Sequence, residues 1–210
     1  FGPMLSVVCA ENFEHAIELA NSSEYGLTAG LQSLDEREQK VWRNSVEAGN
    51  LYINRGITGA IVSRQPFGGM KRSAFGGGIK AGGPNYVTCF VNITNAQKAD
   101  FQNVNTQDLS VYKTYAALLR NDDKLLYENA VISYLENYKN EFSVERDIHQ
   151  LMGEQNVFRY LPLKNILFRV QTSDKLSDVL MVITACMIAK TPLYVSIESN
   201  DAKLETLKTI

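Results

Sequence analysis

Apolar positions in the first fifty residues change their period several times, and each change marks an element. Met4 to Cys9 (MLSVVC) is a short β-branched run, and beyond it Phe13, Ala16, Ile17 and Ala20 fall on one face of a 3.6-residue repeat. A strand followed by an amphipathic helix is predicted. Asn21-Ser22-Ser23 ends that helix, Leu27 to Leu31 (LTAGL) predicts a second strand, and Asp35 is placed to cap a charged helix. Val41, Trp42 and Val46 form its inward stripe, with Gly49 as its C-terminal cap and Leu51-Tyr52-Ile53 as the third strand. The expected core is Phe13, Ile17, Leu19, Val41 and Trp42. Alternating strand and helix is the rhythm of an open α/β sheet.

From Asn54 to Pro84 the periodicity vanishes, and these 31 residues hold 9 of the chain's 14 glycines. So long a loop inside a compact domain is usually functional. Asn85 to Asn92 (NYVTCFVN) then alternates with both faces largely apolar, which predicts a strand covered on both sides, as by another subunit. Asn95 to Asn105 is polar and reads as a linker. A helical stretch follows from Asp108 to about Asn140, with Leu109, Tyr112, Tyr115, Leu118 and Leu119 on one stripe and Leu126, Val131, Tyr134 and Leu135 on another. Asn165 to Val170 reads as a strand, Lys175 to Lys190 as an apolar helix and Pro192 to Ile197 as a second strand, together one βαβ unit.

Composition adds exclusions. The 210 residues carry 21 Lys and Arg against 23 Asp and Glu, so the chain lacks the basic excess of a nucleic-acid binder. Its longest strongly apolar stretch, Val179 to Ala189, is well short of the roughly 20 residues that a membrane span needs. Cys9, Cys89 and Cys186 sit in apolar contexts without C-x-x-C spacing, which predicts buried free thiols in a reducing, cytoplasmic setting. The chain opens at Phe1 with no secretory signal in view, and the expectation is a piece of something longer.

The densest chemistry lies in Asn54 to Gly69. Thr58-Gly59-Ala60 can present consecutive backbone N–H groups without side-chain obstruction, a nest suited to a carboxylate or phosphate, while Pro66 restrains Phe67 as a rigid wall. The plain alternative is that the glycines only permit a tight surface crossing. Gly76-Gly77-Gly78-Ile79-Lys80-Ala81 has no strand leading into it and is no dinucleotide fingerprint, and Gly68 to Ser73 lacks a P-loop ending. His15 and His149 are expected to face solvent, no Cys/His cluster has metal spacing, and the recurring tyrosines from Tyr112 to Tyr138 read as a core or interface stripe.

Phe1-Gly2-Pro3, Tyr25-Gly26-Leu27, Gly49 to Asn54 and Gln65 to Ser73 stand in the order found near the C-terminus of NAD(P)-dependent aldehyde dehydrogenases, which the chain therefore resembles over about 95 residues. Gly56 to Val62 (GITGAIV) is most similar to the L-glutamate γ-semialdehyde (1-pyrroline-5-carboxylate) dehydrogenase branch, especially the bifunctional proline utilization A proteins. Residues 151 to 210 resemble, more weakly, the extra aldehyde-dehydrogenase-like domain of their longer members. The implied fold is an α/β C-terminal fragment of the aldehyde dehydrogenase fold (1–95), a linker and helical region (96–150) and a partial Rossmann-like βαβ unit (151–210).

In that family a cysteine thiolate attacks the aldehyde, hydride passes to NAD, and a glutamate activates the water that hydrolyses the thioester. The resemblance implies that Gly59 and Ala60 hold the substrate's α-carboxylate, that Phe67 packs on its carbon chain, and that Phe1 lies against the nicotinamide ribose. The catalytic cysteine and general base have no match here, so the expected fragment is inactive alone. NAD is the implied cofactor, with FAD belonging to an upstream proline dehydrogenase domain where one is present, and a homo-oligomer is the implied assembly. Two alternatives stay open at this stage: a non-catalytic oligomerisation or lid module, and an aldehyde dehydrogenase for another semialdehyde.

Overall fold

The computed structural model describes residues 2–62, 64–74, 79–92, 94, 110–198 and 200–208. The chain divides into two compact units, residues 1–94 and 95–210.

In the first unit, α1 (Phe13–Asn21) starts where the Asn12 side chain accepts the His15 N–H at 2.8 Å, and it turns Ile17 inward. A short strand β1 (Tyr25–Gly26) and then β2 (Thr28–Leu31) follow. Asp35 caps α2 (Glu36–Ser45) as the sequence predicts, accepting the Arg37 N–H at 2.8 Å. The Arg37 guanidinium beside it holds the Asp35 carboxyl down to about 2. After α2 the chain enters β3 (Asn50–Ile53), which runs parallel to β2 with Thr28 opposite Asn50 and Leu31 opposite Ile53. β2–α2–β3 is thus a crossover unit, and its interior is built from Ile17, Trp42, Val46 and Ala48, with Phe13, Ala29, Leu31, Leu51 and Ile53 packed against them. A last strand, β4 (Met70–Lys71), returns antiparallel to β1.

Four sequence expectations are corrected here. Val41 is not inward but 45% exposed, because the buried stripe of α2 centres on Trp42. α2 ends at Val46, which takes an extended backbone, so Gly49 is not its cap. Residues 4–9 form no strand, and Tyr86–Phe90 form a 3₁₀ turn where an alternating strand is predicted. A strand needs a ladder partner, and among the described residues neither segment finds one.

In the second unit the predicted helical stretch is two helices. α3 (Ser110–Ala117) and α4 (Asn121–Asn137) are separated by residues 118–120, and α4 opens on Asn121, whose φ of 47° is a left-handed backbone that asparagine tolerates. A π-helical turn, Tyr138–Phe142, extends α4. β5 (Ile166–Arg169), α5 (Leu176–Ile188) and β6 (Leu193–Ser196) form the βαβ unit, with Ile166 opposite Leu193 in a parallel ladder, and a short α6 (Lys203–Lys208) follows. Tyr115, Ala116, Leu119, Tyr127, Val131 and Leu180 make one core, so the helices and the βαβ unit pack as one body. Tyr127 shares a 2.7 Å hydrogen bond with Thr184 in that core, and burial pushes its phenol up to about 12. Leu118 and Leu126, predicted on the inward stripes, are exposed. The expected linker at 95–105 and Leu109 lie outside the described residues.

Trp42 is 5% exposed and central to the first core. Trp42→Ala is expected to destabilise the first unit by about 3–5 kcal/mol, read as an earlier urea transition in far-UV circular dichroism.

Candidate functional site

The glycine-rich loop begins where β3 ends and is tied down before it can wander. Asn54 leaves β3 with φ 56°, and its amide accepts the Ser33 N–H at 2.9 Å and donates to the Ser33 carbonyl at 2.8 Å. Beyond it, Gly59 takes φ 88° with open space around it, a conformation that a side chain would strain. Gly59 is exposed and Ala60 half-buried, and neither N–H meets an acceptor among the described residues. These are the two N–H groups that the sequence reading assigns to an anion.

The far end of the loop is more tightly held. Phe67 and Ala81 form an antiparallel bridge, with N–H to carbonyl distances of 3.0 and 2.8 Å. Asn50 reaches both neighbours of Phe67, donating to the Pro66 carbonyl at 3.0 Å and accepting the Gly68 N–H at 3.2 Å. The Lys80 ammonium donates to the carbonyls of Gly49 and Gly68, both at 2.6 Å, and to the Asn50 amide oxygen at 3.2 Å. Burial pushes Lys80 down from 10.5 to about 8. Gly49 has its role here, since a Cβ would stand 1.8 Å from the Gly68 carbonyl oxygen. With its backbone fixed on both sides, the Phe67 ring is left 39% exposed. The arm carrying Lys80 also braces the near side, for a Cβ on Gly82 would lie 3.0 Å from Val62, two residues past Ala60.

Sequence reasoning missed Lys80, and a signal for it was present. Residues 54 to 84 contain Arg55, Arg64, Lys71, Arg72 and Lys80 and not one Asp or Glu. Several of these cations are engaged within the fold: Lys71 lies 3.2 Å from Glu47 and donates to the carbonyls of Asn21 and Ser23, Arg72 pairs with Glu24 at 2.7 Å, and Arg55 stacks over Tyr52. The bias still sets a positive potential around the loop.

The other candidates gain little. Phe1 and Gly76 to Gly78 lie outside the described residues. Cys9 and Cys89 are exposed, against the expectation of buried thiols, because the strands predicted around them do not form; Cys186 is buried, and burial pushes its thiol up. His15 accepts the Glu11 N–H at 3.3 Å and His149 is exposed on a turn. Among the described residues no group of His, Cys, Asp or Glu could hold a metal ion, and no helix is long and apolar enough to cross a membrane. In the second unit a groove of about 250 Å³ runs between Tyr138, Phe142, Tyr160 and Lys190, with Arg159 already paired to Glu145 at 3.4 Å. It holds no nucleophile or general-base constellation.

Residues 1–96 match the aldehyde dehydrogenase family. A 1-pyrroline-5-carboxylate dehydrogenase from Geobacillus sp. (strain WCH70) is 48% identical over 87 residues, 41% of this chain and 16% of that protein. One from Bacillus subtilis (strain 168) is 42% identical over 99 residues, 47% of this chain and 19% of that protein. The solved structure of proline utilization A from Corynebacterium freiburgense is 40% identical with a TM-score of 0.77, covering 91% of this chain and 18% of that one. The chain therefore spans less than a fifth of the length of these relatives.

Gly49→Ala forces a methyl group onto a backbone carbonyl and is expected to destabilise the first unit by about 1–3 kcal/mol in urea unfolding. Thiol titration with a chromogenic disulfide in native buffer is expected to show two fast thiols, Cys9 and Cys89, and a slow Cys186 that reacts fully only in denaturant.

Proposed function

Residues 1–96 being a stretch of the aldehyde dehydrogenase family, we propose that the chain is the C-terminal part of an NAD-dependent enzyme that oxidises L-glutamate γ-semialdehyde, the open form of 1-pyrroline-5-carboxylate, to L-glutamate in proline catabolism. In this reading the segment supplies the anchor for the substrate's α-carboxylate. The observation that carries it is the pair of amides at Gly59 and Ala60 without acceptors, on a loop with no acidic residue and with Phe67 clamped beyond it. The three free thiols fit a reducing, cytoplasmic setting.

The anchor's chemistry is binding and orientation. Charge-assisted hydrogen bonds from the two amides fix the carboxylate end, and the exposed Phe67 ring offers a flat apolar wall to the methylenes. Holding that end sets where the aldehyde carbon stands, which is how a remote contact raises kcat/KM.

NAD supplies the hydride acceptor in such an enzyme, but the described residues do not form its site. The turn from β5 into α5 (Val170 to Lys175) has no glycine, and the Asp174 carboxylate accepts the Gln171 N–H at 2.8 Å, so an acidic group stands where a pyrophosphate would need donors. Dinucleotide, nucleophile and general base belong, in this reading, to the rest of the parent enzyme.

A role in association is a second reading, favoured by one observation. The 3₁₀ turn at Tyr86–Phe90 leaves Tyr86, Val87, Phe90 and Val91 exposed, with Phe90 at 74%, an apolar patch suited to a second copy in a homo-oligomer. The two readings are compatible.

In the complete enzyme, Ala60→Pro removes one donor, whereas Ala60→Ser keeps it. With glutamate semialdehyde the Pro variant is expected to lose about 10- to 100-fold in kcat/KM, or about 1.5–3 kcal/mol, while the Ser variant keeps most of its activity. A simple aldehyde without a carboxylate should lose little in either variant. An equal loss for both substrates in the Pro variant would assign the turn a folding role instead.

A further inference from the structure

We propose that Lys80 is a positioning residue for the anchor: its ammonium clamps the entry of β3 to the Pro66-Phe67-Gly68 segment and so fixes the wall against which the substrate's carbon chain lies. The proposal rests on the anchor reading above and adds to it a residue that touches no substrate.

Three observations carry it. First, the carbonyls of Gly49 and Gly68 point at one spot from segments nineteen positions apart in sequence, and the absence of a side chain on Gly49 is what lets them come so close. Two carbonyl dipoles aimed at one point repel, and a cation between them turns the repulsion into two charge-assisted hydrogen bonds. Second, Lys80 also donates to the Asn50 amide oxygen at 3.2 Å, which fixes the orientation of that amide. With the oxygen held toward Lys80 and the Gly68 N–H, the amide nitrogen must face the Pro66 carbonyl, so Asn50 brackets Phe67 from both sides. Third, Lys80 is the chain neighbour of Ala81, whose N–H and carbonyl pair with Phe67 itself. Every backbone polar group from the Pro66 carbonyl to the Gly68 carbonyl thereby has a partner set directly or through one residue by Lys80.

An uncharged apolar side chain of similar length would keep the packing and lose all three donors, leaving two crowded carbonyls without a partner. Phe67 would then be free to shift with its segment. Because the arm after Lys80 also touches Val62, the loosening would extend toward Ala60.

The test has one arm on this chain and one on the complete enzyme. In the 210-residue chain, Lys80→Met is expected to speed amide exchange at Phe67, Gly68 and Ala81 by about tenfold or more, while the β2–β3 amides keep their protection. Lys80→Arg, which retains charge and donors, is expected to stay within about threefold of the parent chain. Should the Met variant fail to fold, Lys80→Gln is read in the same way. Unchanged exchange at the three amides, or the same loss in the Arg and Met variants, overturns the clamp. In the enzyme, Lys80→Met is expected to raise KM for glutamate semialdehyde about tenfold, with kcat within about threefold and a simple aldehyde little affected. Faster exchange at the three amides with an equal loss for both aldehydes would uphold the clamp and overturn the anchor reading on which its function rests.

Discussion

The carbonyl oxygens of Gly49 and Gly68 converge on a single ammonium, and the shape of the first unit's loop depends on that convergence. A loop of 31 residues rich in glycine has a large conformational entropy to lose, and few of its side chains are apolar enough to hold it by burial. Polar cross-links take over that task. Lys80 secures the far side against the start of β3, while Lys71 secures β4 against the end of α1 through the Asn21 and Ser23 carbonyls and Glu47. Each lysine stands where backbone carbonyls gather, and each replaces water that those groups would otherwise require. Upstream of both, the N–H groups of Gly59 and Ala60 meet no acceptor among the described residues.

Much of this was legible in the sequence, and what was not has a common cause. The βαβ unit of the second unit fell within one or two residues of its observed bounds, because its strands and helix bury against each other inside the described chain. Trp42 and Ile17 were read inward for the same reason, and Asp35 was read as a cap because capping is decided by neighbours two residues away. The failures at residues 4–9 and 85–92 are segments with strand composition whose partners do not lie among the described residues. Periodicity reports which face a segment wants to bury, not whether anything is there to bury it. Two of the three cysteines follow the same rule: Cys9 and Cys89 take their expected burial from strands that do not form, whereas Cys186, on a helix that does, is buried as expected.

The loop itself shows how far composition reaches. Gly59, Ala60 and Phe67 stand out by the glycine pattern and the proline before Phe67, and all three lie on the one loop. The missed residue, Lys80, could not be found from spacing, since its three acceptors lie 12, 30 and 31 positions upstream. Only the absence of acidic residues around it hinted that a cation there would have to find backbone oxygens.

Among the first unit's exposed apolar residues are two strings, Met4, Leu5, Val7 and Val8 near one end and Tyr86, Val87, Phe90 and Val91 near the other. Its buried cluster, by contrast, rests on Ile17, Trp42, Val46 and Ala48. Exposed strings of strand composition are suited to cover by another surface. The Pro66-Phe67-Gly68 segment does not share this dependence. The hydrogen bonds that hold its backbone close among residues 49 to 81, so its position is settled locally. On the proposed reading, binding of the non-reacting end and chemistry at the reacting end would be built on different parts of the fold, and a substitution in this segment should then move substrate selectivity before it moves the chemical step.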